Sequence, residues 1–341
     1  MTERGNLLES IASTIKDYRA GEIEAPTAEH VGRWVTQFGG NVQIPLLREV
    51  DHVFKETYLS RQWVSDWLAD LVRTEQLAGT DPCAFWDDAN FLRIQQNGNS
   101  QDEILELFGE VLEQQCSIGI DQSGNAASAN YIYLDDVMFS GNRVGNDLAA
   151  WIETEAPAVA TIHVVVVAIH TSGEWLVGKR LKQAVADSGK KIEIHYWRAR
   201  TIENRKYYKD TSEVLWPTGI PDDVQVRAYV DQAHKFPFEP RSPGGKLGPF
   251  SSEEGRQLLE REMLIAGARI RGFCRNPRGI MRPLGFSPFG VGFGSMLVTF
   301  RNCPNNCPLA LWWGDPEAPA SSPLSRWYPL FPRKTYEQGV Y

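Results

Sequence analysis

No stretch of the 341 residues approaches the ~20 apolar residues needed to span a bilayer, so no membrane-spanning helix is expected. The opening MTERGNLLES lacks the basic-then-apolar layout of a secretion signal. Cysteine is scarce and odd in number, with Cys83, Cys116, Cys274, Cys303 and Cys307. That argues against a secreted disulfide framework and for reduced thiols in a cytoplasmic protein. Cys303 and Cys307 form a CPNNC pair, but no second pair at ligand spacing accompanies it, which argues against structural zinc. A Walker-type Gly-Lys-Ser/Thr, a Gly-x-Ser-x-Gly elbow and a His-Glu-x-x-His pair are all missing, which removes the common signatures of nucleotide hydrolysis, serine esterases and zinc peptidases. Basic excess is missing too: 35 Lys plus Arg against 43 Asp plus Glu leave a net charge of −8. Wholesale binding to a nucleic-acid backbone is therefore not expected.

What remains is ordinary globular composition, 42% apolar and 23% charged, which excludes global disorder and fibrous architectures. Three consecutive parts are expected. Residues 1–80 read as helical, with Leu7, Ile11 and Ile15 at a spacing of four and with Trp34, Phe38, Trp63 and Trp67 on packing faces. Residues 81–200 change period. FLRIQ reads as a strand, DEILELFGEVLEQQC as an amphipathic helix and YIYLDDVMF as a strand. VGNDLAAWI and GEWLVGKRLKQAVADSGK then read as helices around AVATIHVVVVAIH, with KIEIHYWR as a last strand. The apolar run TIHVVVVAI suits a strand buried on both faces of a parallel sheet. Alternating strands and helices predict a doubly wound, mainly parallel α/β sheet. Residues 201–341 are rich in Pro and Gly, with one clear helix in SSEEGRQLLEREMLIAGARI, and with SMLVTF and LALWW as possible strands.

The chemistry concentrates in YIYLDDVMFSGNRVGNDL. An apolar strand ends in Asp135 and Asp136, and Ser140, Gly141, Asn142 and Arg143 open a helix. Ligands of such sheets bind at the carboxyl ends of strands. A glycine turn running into a helix start offers free N–H groups to a phosphate. Two carboxylates upstream accept hydrogen bonds from vicinal sugar hydroxyls, or face a divalent metal that neutralises pyrophosphate. The combination predicts a clamp for a ribose 5-phosphate. A second loop, Gly98, Asn99, Ser100, Gln101 and Asp102, lies between a strand and a helix start, where it either holds a pyrophosphate or simply caps the helix. Arg301, Asn302, Asn305 and Asn306, followed by Trp312 and Trp313, mix amide edges with stacking faces suited to a nucleobase. The competing reading is a tight turn over a tryptophan core. Arg256 and Arg282 are further candidates for a phosphate or substrate acid. Arg275, Arg278 and Arg282 make the most basic short stretch. His163 and His170 flank the VVVVAI run and read as structural.

The acid pair with its Ser-Gly opening resembles the phosphoribosyltransferase signature, in which two acids and a short spacer precede a Thr-Gly-x-Thr phosphate loop. Asp135 and Asp136 match the acids and Ser140-Gly141 the Thr-Gly; Arg143 or Val144 replaces the second Thr. NFLRIQQNGNSQDEIL, YIYLDDVMFSGNRV and RPLGFSPFGVGFGSMLVTFRNCPNNCPLALWW are together similar to the PRTase-CE group of bacterial conflict systems. The resemblance implies a type I phosphoribosyltransferase fold and an effector of antiphage defence that acts with a protein partner. It also implies phosphoribosyl pyrophosphate as ligand or substrate, with Mg²⁺ held indirectly at Asp135 and Asp136. Gly98–Gln101 would take the pyrophosphate, Ser140–Arg143 the 5′-phosphate, and Arg301–Asn306 the nucleotide or other acceptor. Transfer or release of a phosphoribosyl group is the expected activity. A non-catalytic nucleotide sensor and a nucleic-acid-associated effector are the alternatives.

Overall fold

The computed structural model describes residues 2–95, 100–232 and 236–333. The chain divides into two compact units, the first comprising residues 1–61 with 206–341 and the second residues 62–205. The three parts expected from composition regroup accordingly. The helical start shares a unit with the C-terminal part, and residues 62–80 go with the α/β region.

The first unit begins with α1 (Glu3–Thr14), α2 (Ala28–Val35), α3 (Gln43–Thr57) and the short strand β1 (Tyr58–Leu59). Hydroxyls start the first two helices: Thr2 Oγ1 accepts from the Gly5 amide and Thr27 Oγ1 from that of His30, both at 3.2 Å. Such caps contribute about 1 kcal/mol each.

In the α/β unit, α4 (Arg61–Val72), α5 (Glu75–Ala78) and α6 (Pro82–Asp88) precede β2 (Asn90–Phe91). Then follow α7 (Ser100–Cys116), β3 (Asn130–Met138), α8 (Asn142–Thr154), β4 (Val159–His170), α9 (Thr171–Ser188) and β5 (Lys191–Ile202). The strands form one sheet in the order β2-β3-β4-β5, every pairing parallel. A helix connects each consecutive pair, as parallel neighbours require. β4 is the buried strand that its sequence predicts, with residues 162–169 almost wholly enclosed. β2 is shorter than FLRIQ predicts. Beyond Leu92, whose amide still reaches Ile132 O at 2.9 Å, the Gln101 side chain takes the amides of Ile94 and Gln95. Those amides cannot then pair with β3.

Cys83 and Cys116, expected as free thiols, are joined in a disulfide with Cα atoms 5.4 Å apart. α6 folds onto α7, where the rings of Trp86 and Phe108 meet at 5.0 Å, and this brings together cysteines 33 residues apart. The case for reduced thiols in a cytosol loses that support. Cys274, Cys303 and Cys307 remain free. Among the described residues no helix is long and apolar enough to cross a membrane.

The first unit resumes with α10 (Val224–Val230), α11 (Glu253–Phe273), β6 (Val298–Thr299) and α12 (Leu309–Trp312). SMLVTF does contribute a strand, which pairs in parallel with β1 through Tyr58↔Val298 and Leu59↔Thr299. LALWW does not. Pro308 opens a single helical turn there, and the Trp312 indole donates to Cys307 O at 2.8 Å. Leu8, Trp34, Phe54, Met263, Trp313 and Trp327 belong to one buried cluster. The two ends of the chain therefore share a core.

Candidate functional site

Asp135 lies in the C-terminal part of β3, and the two-residue period puts it on the same face as Tyr133, with Asp136 on the other. Its carboxylate is 3% exposed. Burial pushes its pKa up to about 7, aided by the negative charge of Asp136 and opposed by hydrogen bonds from Ser100 and the Asp136 amide and by the charge of Arg143. The Asp136 amide donates to Asp135 Oδ1 at 2.9 Å, and the Val137 amide to Asp136 Oδ1 at 2.6 Å. Each acid is thus pinned by the backbone that follows it, next to a neighbour of like charge.

Gly141 carries the chain from β3 into α8 with φ +70°. A Cβ here would stand 2.4 Å from Val177 Cγ2 and 2.7 Å from Gly173 O, while one on Gly173 would stand 2.2 Å from Phe139 O. The turn after β3 and the start of α9 are packed backbone against backbone, which only glycine permits. No side chain of the Gly141 N-cap position closes α8, because glycine has none. The neighbouring α9 is different, because Asn204 Oδ1 accepts from the Ser172 amide at 2.9 Å. Of the two helix starts, α9 receives a side-chain acceptor from the loop after β5, and α8 begins on a glycine, the arrangement in which helix-start amides can meet an anion.

Ser100 and Gln101 join this centre. Arg143 Nη1 donates to Ser100 Oγ at 3.1 Å, and Gln95 Nε2 donates to the same oxygen at 2.8 Å. Gln101 Oε1 accepts from the amides of Ile94 and Gln95 at 2.9 and 3.1 Å. Gly98 and Asn99 lie outside the described residues. Asp102 is exposed and faces Arg93 at 3.5 Å. Asp135, Asp136, Ser100, Gln101 and Arg143 therefore form one cluster, with Ser140 half-buried and Asn142 exposed at its rim.

Arg301, Asn302, Asn305 and Asn306 belong to the other unit. The Asn306 side chain donates to Phe286 O at 3.1 Å, Asn305 O accepts from the Phe286 amide at 2.7 Å, and the Asn302 amide returns to Thr299 O at 3.2 Å. Trp312 and Trp313 are buried. Arg256 and Arg282, candidates for a phosphate, are occupied within the protein. Arg256 bonds Glu260 and Ser212 Oγ, at 2.9 and 3.1 Å. Arg282 donates to the carbonyls of Ser287, Pro288 and Gly290. Both are buried because a guanidinium with every fork filled is tolerated in a core. Arg275 and Arg278 stand exposed in a loop.

Neither histidine of β4 is placed to act as a base. His170 is fully buried with Nδ1 3.2 Å from Met138 O, and burial lowers its pKa to about 3. Its ring stacks on Phe139 at 4.8 Å, which supports the turn leading to Ser140. His163 takes the Trp197 indole N–H on Nδ1 at 3.1 Å, with Nε2 3.3 Å from Asn130 Oδ1, and burial lowers its pKa to about 4.

A model of the PRTase-CE family matches residues 31–333, most of the chain. The protein belongs to the PRTase-CE family. No curated protein and no solved structure is detectably similar to it. Membership makes this PRTase-CE protein phosphoribosyltransferase-like and agrees with its parallel α/β sheet. Two polar groups at the cluster escape sequence reasoning, Tyr133 and Asp147. The signals were present: a hydroxyl two residues before the first acid, and a carboxylate one helical turn after Arg143.

Proposed function

We propose that this PRTase-CE protein binds phosphoribosyl pyrophosphate or a related nucleotide and transfers or releases a phosphoribosyl group. One observation carries the reading. An acid pair at the end of β3 leads through the left-handed Gly141 into a helix start with no side-chain cap. Asp135 and Asp136 would accept from the ribose hydroxyls, and the amides after Gly141 would hold the 5′-phosphate. Ser100 and Gln101 would lie toward the pyrophosphate. Bond cleavage at the anomeric carbon would rest on orientation and charge stabilisation rather than covalent protein chemistry. Among the described residues no group of three or more His, Cys, Asp or Glu side chains could hold a metal. A Mg²⁺ ion fits only if the ligand's phosphate oxygens supply most of its shell, with the acids facing it indirectly. It would neutralise the departing pyrophosphate.

Calorimetric titration with phosphoribosyl pyrophosphate and Mg²⁺ tests this. Binding by wild type that is lost in Asp135→Ala/Asp136→Ala supports the clamp, and equal heats from both would refute it. A second reading, a non-catalytic sensor that signals to a protein partner of a bacterial antiphage system in the cytoplasm, is favoured by Arg143. It stands where a threonine is usual and bonds Ser100 instead. Mass spectrometry of products separates binding from turnover.

A further inference from the structure

Three buried polar atoms on β3, α7 and α8, the elements that carry Asp135, Ser100 and Arg143, have no hydrogen-bond partner in the protein: the Tyr133 hydroxyl, Gln101 Nε2 and Asp147 Oδ2. Tyr133 is 0% exposed and Gln101 1%, and Asp147 Oδ2 is enclosed although its residue is half-buried, so bulk water does not explain these three atoms. An unpaired buried polar group forfeits its hydration, a loss that native proteins rarely accept. Their placement is not scattered. Tyr133 and Asp135 share a face of β3, two residues apart. Arg143 and Asp147 share a face of α8, one turn apart. Arg143 in turn bonds Ser100, the residue before Gln101. Burial raises the Tyr133 pKa, the nearby charges of Asp135, Asp147 and Asp136 raise it further, and Arg143 opposes them.

We propose that Tyr133, with Gln101 and Asp147, forms an inner polar lining of this site that contacts a sugar hydroxyl of a phosphorylated pentose, making Tyr133 a specificity-determining residue. The chemistry of the set points to that ligand. Gln101 Nε2 only donates, Asp147 Oδ2 accepts, and the tyrosine hydroxyl does both. A hydroxyl-bearing ligand satisfies all three, whereas a bare phosphate leaves the acceptor unpaired. The inference rests on the phosphoribosyl reading, but the unpaired state of Tyr133 can be checked without any ligand.

The test compares wild type with Tyr133→Phe and Asp147→Asn by thermal unfolding and calorimetry, using ribose 5-phosphate and inorganic pyrophosphate. With no ligand, Tyr133→Phe should melt at or above the wild-type temperature, because an unpaired hydroxyl has been removed. A clearly lower melting temperature would mean that the hydroxyl is bonded within the protein, and would overturn the proposal whatever the ligand. With ligand, both variants should bind ribose 5-phosphate roughly tenfold more weakly, a loss of ~1.4 kcal/mol, while pyrophosphate binding is unchanged. Equal ribose 5-phosphate affinity in wild type and Tyr133→Phe overturns the lining while leaving the phosphoribosyl reading intact. If wild type binds neither compound, the phosphoribosyl reading itself fails, and this assignment fails with it.

Discussion

In the unit built from both chain ends, Arg241, Arg256 and Glu260 are sealed from solvent, and Glu260 is met on every side. Arg241 reaches both of its oxygens at 3.0 Å, Arg256 Nε donates at 2.9 Å and the Trp216 amide at 3.0 Å. In the α/β unit Asp135 is sealed almost as completely. It faces another acid there, among a tyrosine, an amide and a carboxylate with unpaired atoms. Buried charge that closes on itself holds a fold together. Buried polar groups left incomplete, like those on Tyr133, Gln101 and Asp147, are what the proposed ligand would complete.

The strongest blow to this contrast is Glu260→Ala, which leaves the buried Arg256 without a carboxylate and Arg241 with Glu253 alone. It should destabilise by roughly 3–5 kcal/mol, read as a lower midpoint in guanidinium unfolding; a midpoint within error of wild type would mean that the network is not structural. Next is the α/β unit's own staple. Cys83→Ser, or reduction, opens a crosslink across 33 residues and should remove about 2–4 kcal/mol. Melting with and without reductant reads this, and a reductant-insensitive transition would count against the crosslink. Gly141→Ala should follow at about 2 kcal/mol, since it forces a left-handed residue against Val177 and Gly173. Its ligand affinity should fall further than its stability.

The smallest effect has the opposite sign. Asp135 titrates near 7 in the folded chain and near its ordinary ~3.9 when unfolded. Between those values the folded protein holds a proton that the unfolded chain has lost. Stability therefore falls as pH rises across that window, and the loss is complete above it. Asp135→Asn should be more stable than wild type near pH 8 and indistinguishable from it near pH 4. Parallel stability curves at the two pH values would remove Asp135 from the contrast.

How far these regions were legible in the sequence follows from the range of the interactions involved. α7, α8, α9 and the strands β3, β4 and β5 announce themselves because their periodicity is local. The acid pair and Gly141 do so because strand, turn and helix start are contiguous. Arg256 and Arg282 misled because charge alone predicts exposure, and nothing nearby in the chain reveals that Glu260 or a ring of carbonyls awaits them. The Cys83–Cys116 link escaped because it depends on α6 folding onto α7. Tyr133 looked like strand filler. Its spacing from Asp135 is legible in the chain, but its missing partner shows only in three dimensions. The sharing of one core by Leu8, Trp34 and Trp327 needs the whole chain to be traced before it can be seen.

The close approach of Gly141 and Gly173 has a mechanical consequence. With no Cβ on either residue to act as a spacer, the turn after β3 and the start of α9 are in direct backbone contact. That turn has no slack of its own and cannot swing without carrying α9 along. If the proposed ligand is bound, closure over it would come from the other side, where Ser100 meets Arg143 through side chains alone. The site resembles a vice with one fixed plate, and the fixed plate is the one that carries the helix dipole.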